Sequence, residues 1–378
     1  FAKALKDWAF QVPDNPSGWL MQTAKNKAID MIRRERYKKE FAEETSALLK
    51  SEYTASSVIE KLFMEHEIQD SQLRMIFACC HPGLAEADQI ALTLKTCSGF
   101  DVQEIAGALL SNQETIRKRL QRAKALITEK NIRFDIPTGA KLKQRLDMVL
   151  HTLYLIFNEG YSSSGKENLI RKDLCEEAIR LSLLLTENKY TSQPKCYSLV
   201  ALMTLLASRF DARLDEQGEI ILLEDQNREQ WDQVLIGIGI DYLDRASQGD
   251  ELTEYHIEAA IVAEHSFARS FAETNWQLIL SLYDHLISLN PSPAVFLNRA
   301  IVMGKINGAD KAIEEILSMK DIDKLLESRH LFPAVLGDLY RQNGDVKKAS
   351  KYLEKAISLT QSPAEKNLLK KKLNSLSL

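Results

Sequence analysis

Three observations predict an all-α protein. Gly and Pro, which interrupt helices, number only 15 and 9 in 378 residues. Leu, Ala, Glu and Lys, all good helix formers, dominate the remainder. Apolar residues recur three and four positions apart along most of the chain, and period-two alternation is scarce. The best extended candidate, Gly218 to Leu223 (GEIILL), suits the start of a helix equally well. At 45% hydrophobic and 27% charged residues, there is material for two or three domains with real cores.

The first segment, residues 1–40, reads as a small basic unit. Asp14-Asn15-Pro16 is a turn signal, and the helix that follows, SGWLMQTAKNKAIDMIRRERYKKE, carries Trp19, Leu20, Ala24, Ala28 and Ile32 as its apolar stripe. Lys25, Asn26, Lys27, Asp30, Arg33, Arg34 and Arg36 occupy its other positions. Residues 41–70 turn acidic and less periodic, the mark of a linker with some helix.

Residues 71–133 form a compact helical unit whose centre is FDVQEIAGALLSNQETIRKRLQRAKALI, Phe100 to Ile127. Asp101 and Glu104 make a capping box, and Val102, Ile105, Ala106 and Leu109 give the first helix one apolar side. A turn near Leu110 follows, with Ser111 or Asn112 able to cap a second helix. In that second helix Ile116, Leu120, Ala123 and Ile127 fall at helical spacing, which leaves Gln113, Arg117, Lys118, Gln121, Arg122 and Lys124 pointing elsewhere. This is the layout of a helix-turn-helix whose second helix enters a major groove. Between Asn112 and Ile127 the bases Arg117, Lys118, Arg119, Arg122 and Lys124 face the single acid Glu114, in a chain of formal net charge −4. A local excess of that sign suits phosphate neutralisation, although a helical hairpin with a solvated basic face would show it too.

Ile136-Pro137-Thr138-Gly139 punctuates the chain, and residues 134–378 form a third, all-helical region in which acids outnumber bases. The nucleic-acid face is therefore expected in the first part alone. Late in the third region, Leu336, Gly337, Tyr340, Ala349, Leu353 and Ala356 stand at the spacing of a tetratricopeptide repeat closed by Pro363. Trp276, Ile279, Tyr283 and the LNRA at Leu297 to Ala300 look like a degenerate unit of the same kind, so the repeats are clearest over about residues 276–363.

The third region also holds polar groups that invite a catalytic reading: Asn158, Glu159, Glu176, Glu177, Glu224, Asp225 and His256. None has nucleophile-elbow, P-loop or metal-ligand spacing, and no enzyme activity, cofactor or metal is expected. Phe157 to Ser164 reads as a Gly/Ser loop between helices. Cys79-Cys80-His81 suggests a metal only until geometry is considered, because adjacent side chains on a helix diverge by about 100°. The five cysteines, Cys79, Cys80, Cys97, Cys175 and Cys196, lack CxxC spacing and suit reduced thiols. No membrane-length apolar run and no signal peptide are visible, and the cytoplasm is the expected compartment.

Taken together, NPSGWLMQTAKNKAIDMIRRER and the helix-turn-helix resemble regions 2 and 4 of an extracytoplasmic-function (ECF) sigma factor, whose region 2 reads NPxxWLxxxAxNxxxDxxRR. LRMIFACCHPGL, FNEGYSSS, DLCEEAIRL, LLEDQNREQWD and LNRA are similar to the subgroup with a TPR-like C-terminal extension. The resemblance runs the length of the chain. It implies that Gln113, Arg117, Lys118, Gln121 and Arg122 contact the −35 promoter element. Asp14, Asn15, Trp19, Asn26, Lys27, Asp30, Arg33 and Arg34 are implied at the −10 element, with the loop Val12 to Asn15 capturing a flipped base. Trp19 suits either the core beneath that loop or a direct part in melting. The implied partners are the clamp and flap of core RNA polymerase and promoter DNA, with a protein or peptide at the C-terminal region and no membrane. Region 2 is expected to be partial, since Phe1 to Trp8 corresponds to the tail of its polymerase-binding helix. Leu110 stands where the family often has Gly in the region 4 turn.

Three other readings remain at this point. A one-component regulator would join the helix-turn-helix to a ligand- or peptide-binding helical domain. A TPR-type scaffold would leave the basic helices merely solvated. An enzyme would gather the C-terminal acids and His256 in one pocket.

Overall fold

The computed structural model describes residues 68, 70–109, 111–132, 137–163 and 170–377. Among them are sixteen α-helices and three short 3-10 turns, and the single extended pairing is an isolated bridge between Leu214 and Ile220. The all-α expectation holds. The residues expected at the −10 element and most of the expected linker lie outside the described residues.

The chain divides into two compact units, residues 1–158 with 180–192 and residues 159–179 with 193–378. The first contains α1 (Ser71–Cys79), α2 (Glu86–Cys97), α3 (Val102–Ala108) and α4 (Gln113–Glu129). It also takes most of α5 (Ala140–Tyr161) and the second half of α6 (Lys172–Glu187). Helix α1 starts where the Asp70 carboxylate accepts from the Gln72 and Leu73 amides, both at 2.9 Å. The same carboxylate accepts from Arg180 at 3.0 Å. Near the other end of α1, Arg145 donates to the Phe77 carbonyl at 2.8 Å, a cation where the helix dipole is negative. Leu73, Phe77, Leu94, Ile105 and Ile116 fill the space these helices enclose.

Phe157 to Tyr161 belong to the last turns of α5, which corrects the reading of Phe157 to Ser164 as a loop. The apolar stripe Val149, Leu150, Leu153, Ile156 and Phe157 leads into this stretch, where Glu159 and Gly160 are buried too, and the burial of the helix outweighs the helix-weakening Gly160. Gly160 has a packing reason to be there: a Cβ would fall 2.7 Å from the Cys175 sulfur.

The second unit continues with α7 (Pro194–Ala207), α8 (Gln233–Ala246) and α9 (Glu254–Phe267). Then come α10 (Trp276–Leu289), α11 (Pro293–Asn307), α12 (Ala309–Leu317) and α13 (Ile322–Ser328). The last helices are α14 (Leu331–Gln342), α15 (Val346–Leu359) and α16 (Pro363–Asn374). GEIILL is neither strand nor helix here. The Asp215 carboxylate accepts from the Gln217 and Glu219 amides at 3.0 and 2.8 Å, closing a tight hairpin through Gly218 at φ +78°. One bridge pairs its arms, and Glu219 then reaches Asn367 and Lys371 on α16, at 3.0 and 3.3 Å.

The repeat-like positions behave as helix-pair contacts. Leu336, Gly337, Tyr340, Ala349, Leu353 and Ala356 are all buried between α14 and α15. Gly337 permits the close approach: a Cβ there would meet Leu353 Cγ at 2.8 Å. Tyr340 stacks on Tyr352 with ring centres 5.5 Å apart and planes 5° from parallel. Upstream, Ile279, Leu280 and Leu286 of α10 share a core with Val295 and Val302 of α11. Arg299 of α11 ties the succession together by pairing with Asp284 of α10, at 2.6 Å, and with Glu315 of α12.

Two outcomes follow from this packing. Gly337→Val forces α14 away from α15, and denaturant unfolding of the chain should show a loss of about 1–3 kcal/mol; a loss below about 0.5 kcal/mol would mean the contact is not tight. The second concerns His265, in the last turn of α9. Burial, then the fields of Arg209 and Arg228, push its imidazole down to about 4. The unfolded chain takes up a proton near pH 6.5 that the folded chain refuses until about pH 4. Stability therefore falls as pH drops through that window, by about 3 kcal/mol when complete, and His265→Gln should remove this part of the slope.

Candidate nucleic-acid interface

The interface is built by the turn from α3 into α4. The Asp101 side chain accepts from the Glu104 amide at 2.7 Å while the Glu104 carboxylate accepts from the Asp101 amide at 2.6 Å, so the capping box fixes where α3 begins. Ser111 donates its amide back to the Ala106 carbonyl at 2.8 Å, closing the end of α3. Of the two cap candidates it is Asn112 that starts α4, its side chain accepting from the Thr115 amide at 2.8 Å. Leu110 itself lies outside the described residues.

Helix α4 buries Ile116, Ala123 and Ile127, with Leu120 half-buried beside them. Gln113, Arg117, Lys118, Gln121 and Arg122 are all exposed on the opposite side. Spacing of four places them in two adjacent rows, Gln113–Arg117–Gln121 and Glu114–Lys118–Arg122. Within the rows Arg117 donates to the Gln113 side chain at 3.0 Å, and Lys118 pairs with Glu114 at 2.8 Å. Exposed pairs of this kind are weak and exchange readily for phosphates or base edges.

Arg122 differs. Its Nε and one Nη donate to the two carboxylate oxygens of Asp88 on α2, at 2.7 and 2.5 Å. The carboxylate is fully buried while 57% of the Arg122 side chain remains exposed. The fork-to-fork hydrogen bonds hold the guanidinium charged, above its ordinary range, and leave its outer donors facing solvent. The sequence reading placed Arg122 on the reading face without its partner. A signal existed: Asp88 stands one turn before Leu92, an acid within the apolar stripe of α2.

Other candidate groups have partners of their own. Glu159 is buried and accepts from Ser163 at 3.0 Å. Glu224 pairs with Lys305 at 3.0 Å. His256 Nδ1 accepts from the Thr253 amide at 3.1 Å, making a capping box for α9. Cys79 and Cys80 turn to different neighbours, Cys79 to Thr96 and Cys97 and Cys80 to Thr93. Among the described residues no group of three or more His, Cys, Asp or Glu is placed to hold a metal ion. Nor is any described helix long and apolar enough to cross a membrane.

Residues 74–127 match the family described as Sigma-70, region 4. The helix-turn-helix is a sigma-70 region 4 unit. Beyond region 4, residues 145–247 match a family of unknown function, DUF6596, and residues 334–363 match the tetratricopeptide repeat. The uncharacterized protein R00370 of Rhizobium meliloti (strain 1021) is 34% identical over 377 residues, a match that spans 99% of this chain and 88% of the relative. The chain belongs to the same family as that protein. A region 4 unit and a tetratricopeptide repeat in one chain support a factor of the sigma-70 type, with a DNA-binding role in transcription.

Region 4 thus depends on Asp88 for the placement of α4. Arg122→Ala strands a buried carboxylate without its cation, and thermal unfolding of this unit should move to lower temperature. Adding Asp88→Asn to Arg122→Ala should recover more than half of that loss. No shift in the single variant would show that the pair does not anchor the helix.

Proposed function

We propose that the chain is an ECF-type sigma factor, which recruits core RNA polymerase to promoters without catalysing a reaction itself. The observation that carries this reading is the exposed double row on α4, set on a region 4 unit by Asp88 and the two caps. In this reading phosphate contacts set the register of α4 and a few base-edge contacts from Gln113, Arg117, Lys118 and Gln121 choose the −35 sequence. Arg122, oriented from behind by Asp88, serves best as a fixed cation toward a phosphate. Residues 12–34 melt and read the −10 element by the family resemblance, and the polymerase clamp and flap are the protein partners. The C-terminal region regulates access to DNA, a role that suits its acidic balance and its helix pairs, which in repeat proteins present peptide-binding surfaces. Such a factor works in the cytoplasm.

Run-off transcription with purified core polymerase tests the reading. The wild-type protein directs initiation from its cognate promoter, and Arg117→Ala loses about 1–3 kcal/mol of discrimination against −35 variants. Equal loss on every template would assign Arg117 to the backbone. Absence of promoter-specific initiation by the wild type would refute the sigma-factor reading.

A further inference from the structure

Within the second unit, the arm that follows the hairpin at Gly218 lies against the helices of the repeat-like region and does not fill the space beneath it. A cavity of about 390 Å³ remains, walled by Leu222 and Leu223 from that arm and by Trp276, Ile301, Leu339 and Leu369 from α10, α11, α14 and α16. The space is about half open to solvent, a cleft of the kind in which small apolar molecules are held. Its volume falls within the range of small-molecule sites, and its walls show the usual make-up of such sites, mostly aliphatic and aromatic with a few polar groups at the edge.

Charge selects the class of guest. Each charged group on the rim already has a counterion: Glu224 with Lys305 at 3.0 Å, and Asp338 with Lys372 at 3.1 Å and Arg341 at 2.9 Å. Lys305 also lies over the Phe271 ring, 4.9 Å from its centre. An ionised ligand entering here would find these charges already paired and would lose hydration against mainly apolar walls, which is costly. The amides of Asn298 and Gln342 line the same space; they already bond Tyr283 and, at 3.3 Å, Asp338, and their remaining donors and acceptors are uncharged.

We infer that this cavity is a binding site for a small uncharged molecule with an apolar body and at most one or two hydrogen-bonding groups. Such a molecule touches the hairpin arm on one side and the helix pairs on the other, so its binding free energy is shared between the segment matching DUF6596 and the tetratricopeptide repeat. The site rests on the second unit's own geometry and does not depend on how α4 meets DNA.

The test uses the full chain and N-phenyl-1-naphthylamine, an uncharged probe whose emission rises in apolar surroundings. The wild type should bind one equivalent saturably, with energy transfer from tryptophan that falls in Trp276→Phe. Ile301→Trp, which places an indole in the cavity, should weaken binding at least tenfold while far-UV circular dichroism and melting stay at wild-type values. If that variant is destabilised, Ala334→Phe fills the same space from α14 and carries the same expectation. No saturable binding by the wild type, or unchanged affinity in a folded blocked variant, would overturn the inference.

Discussion

A carboxylate with no exposed surface is tolerated in a protein interior only when a cation and good hydrogen-bond geometry compensate its lost hydration. Asp88 meets that condition through Arg122 alone among the described cations that pair with it, and the consequence reaches the whole of region 4. The requirement fixes α4 at one rotation and one depth against α2. With Arg122 pinned, the helical repeat places Lys118 one turn before it, sets Arg117 and Gln121 in the adjacent exposed row and leaves Ile116, Ala123 and Ile127 facing inward. The reading face is therefore defined from within the core. Apolar burial by itself constrains rotation less sharply, since it is non-directional.

The caps act with that pair. Asp101 with Glu104 sets the first residue of α3, and Asn112 sets the first residue of α4. Two fixed starts and one lateral tether set where α3 and α4 begin and how α4 faces α2. The second unit relies on a different constraint, the close approach of helices over small residues. Gly337, Ala349 and Ala356 admit the neighbouring helix, and Leu336 and Leu353 occupy the space between. Where the hairpin arm supplies the opposing surface, no such matched set of small and large side chains exists, and a cavity persists.

The parts of this architecture that depend on neighbours in sequence were legible in it. Both caps, the inward stripe of α4 and the six repeat positions follow from spacing that local geometry enforces. The outward placement of Gln113, Arg117, Lys118, Gln121 and Arg122 was legible for the same reason. What escaped depends on partners far along the chain. Asp88 and Arg122 are 34 positions apart, and Glu219 and Asn367 are 148 apart, so no local pattern joins them. The end of α5 was misread because Gly160 looks like a loop residue, whereas its reason is the close packing against Cys175, which lies 15 positions on. GEIILL was misread because a β-rich composition describes a surface to be packed, and here the packing surface is a set of helices.

The central claim is that the outer face of α4 reads the −35 element when the chain is bound to polymerase. Replacing Arg117 by the photoreactive residue p-benzoylphenylalanine, then irradiating the complex with core polymerase and promoter DNA, tests it most directly. The account predicts crosslinks within the −35 element that disappear when that element is scrambled and the rest of the promoter is kept. Crosslinks that are absent, or that are equally strong on the scrambled promoter, would contradict it.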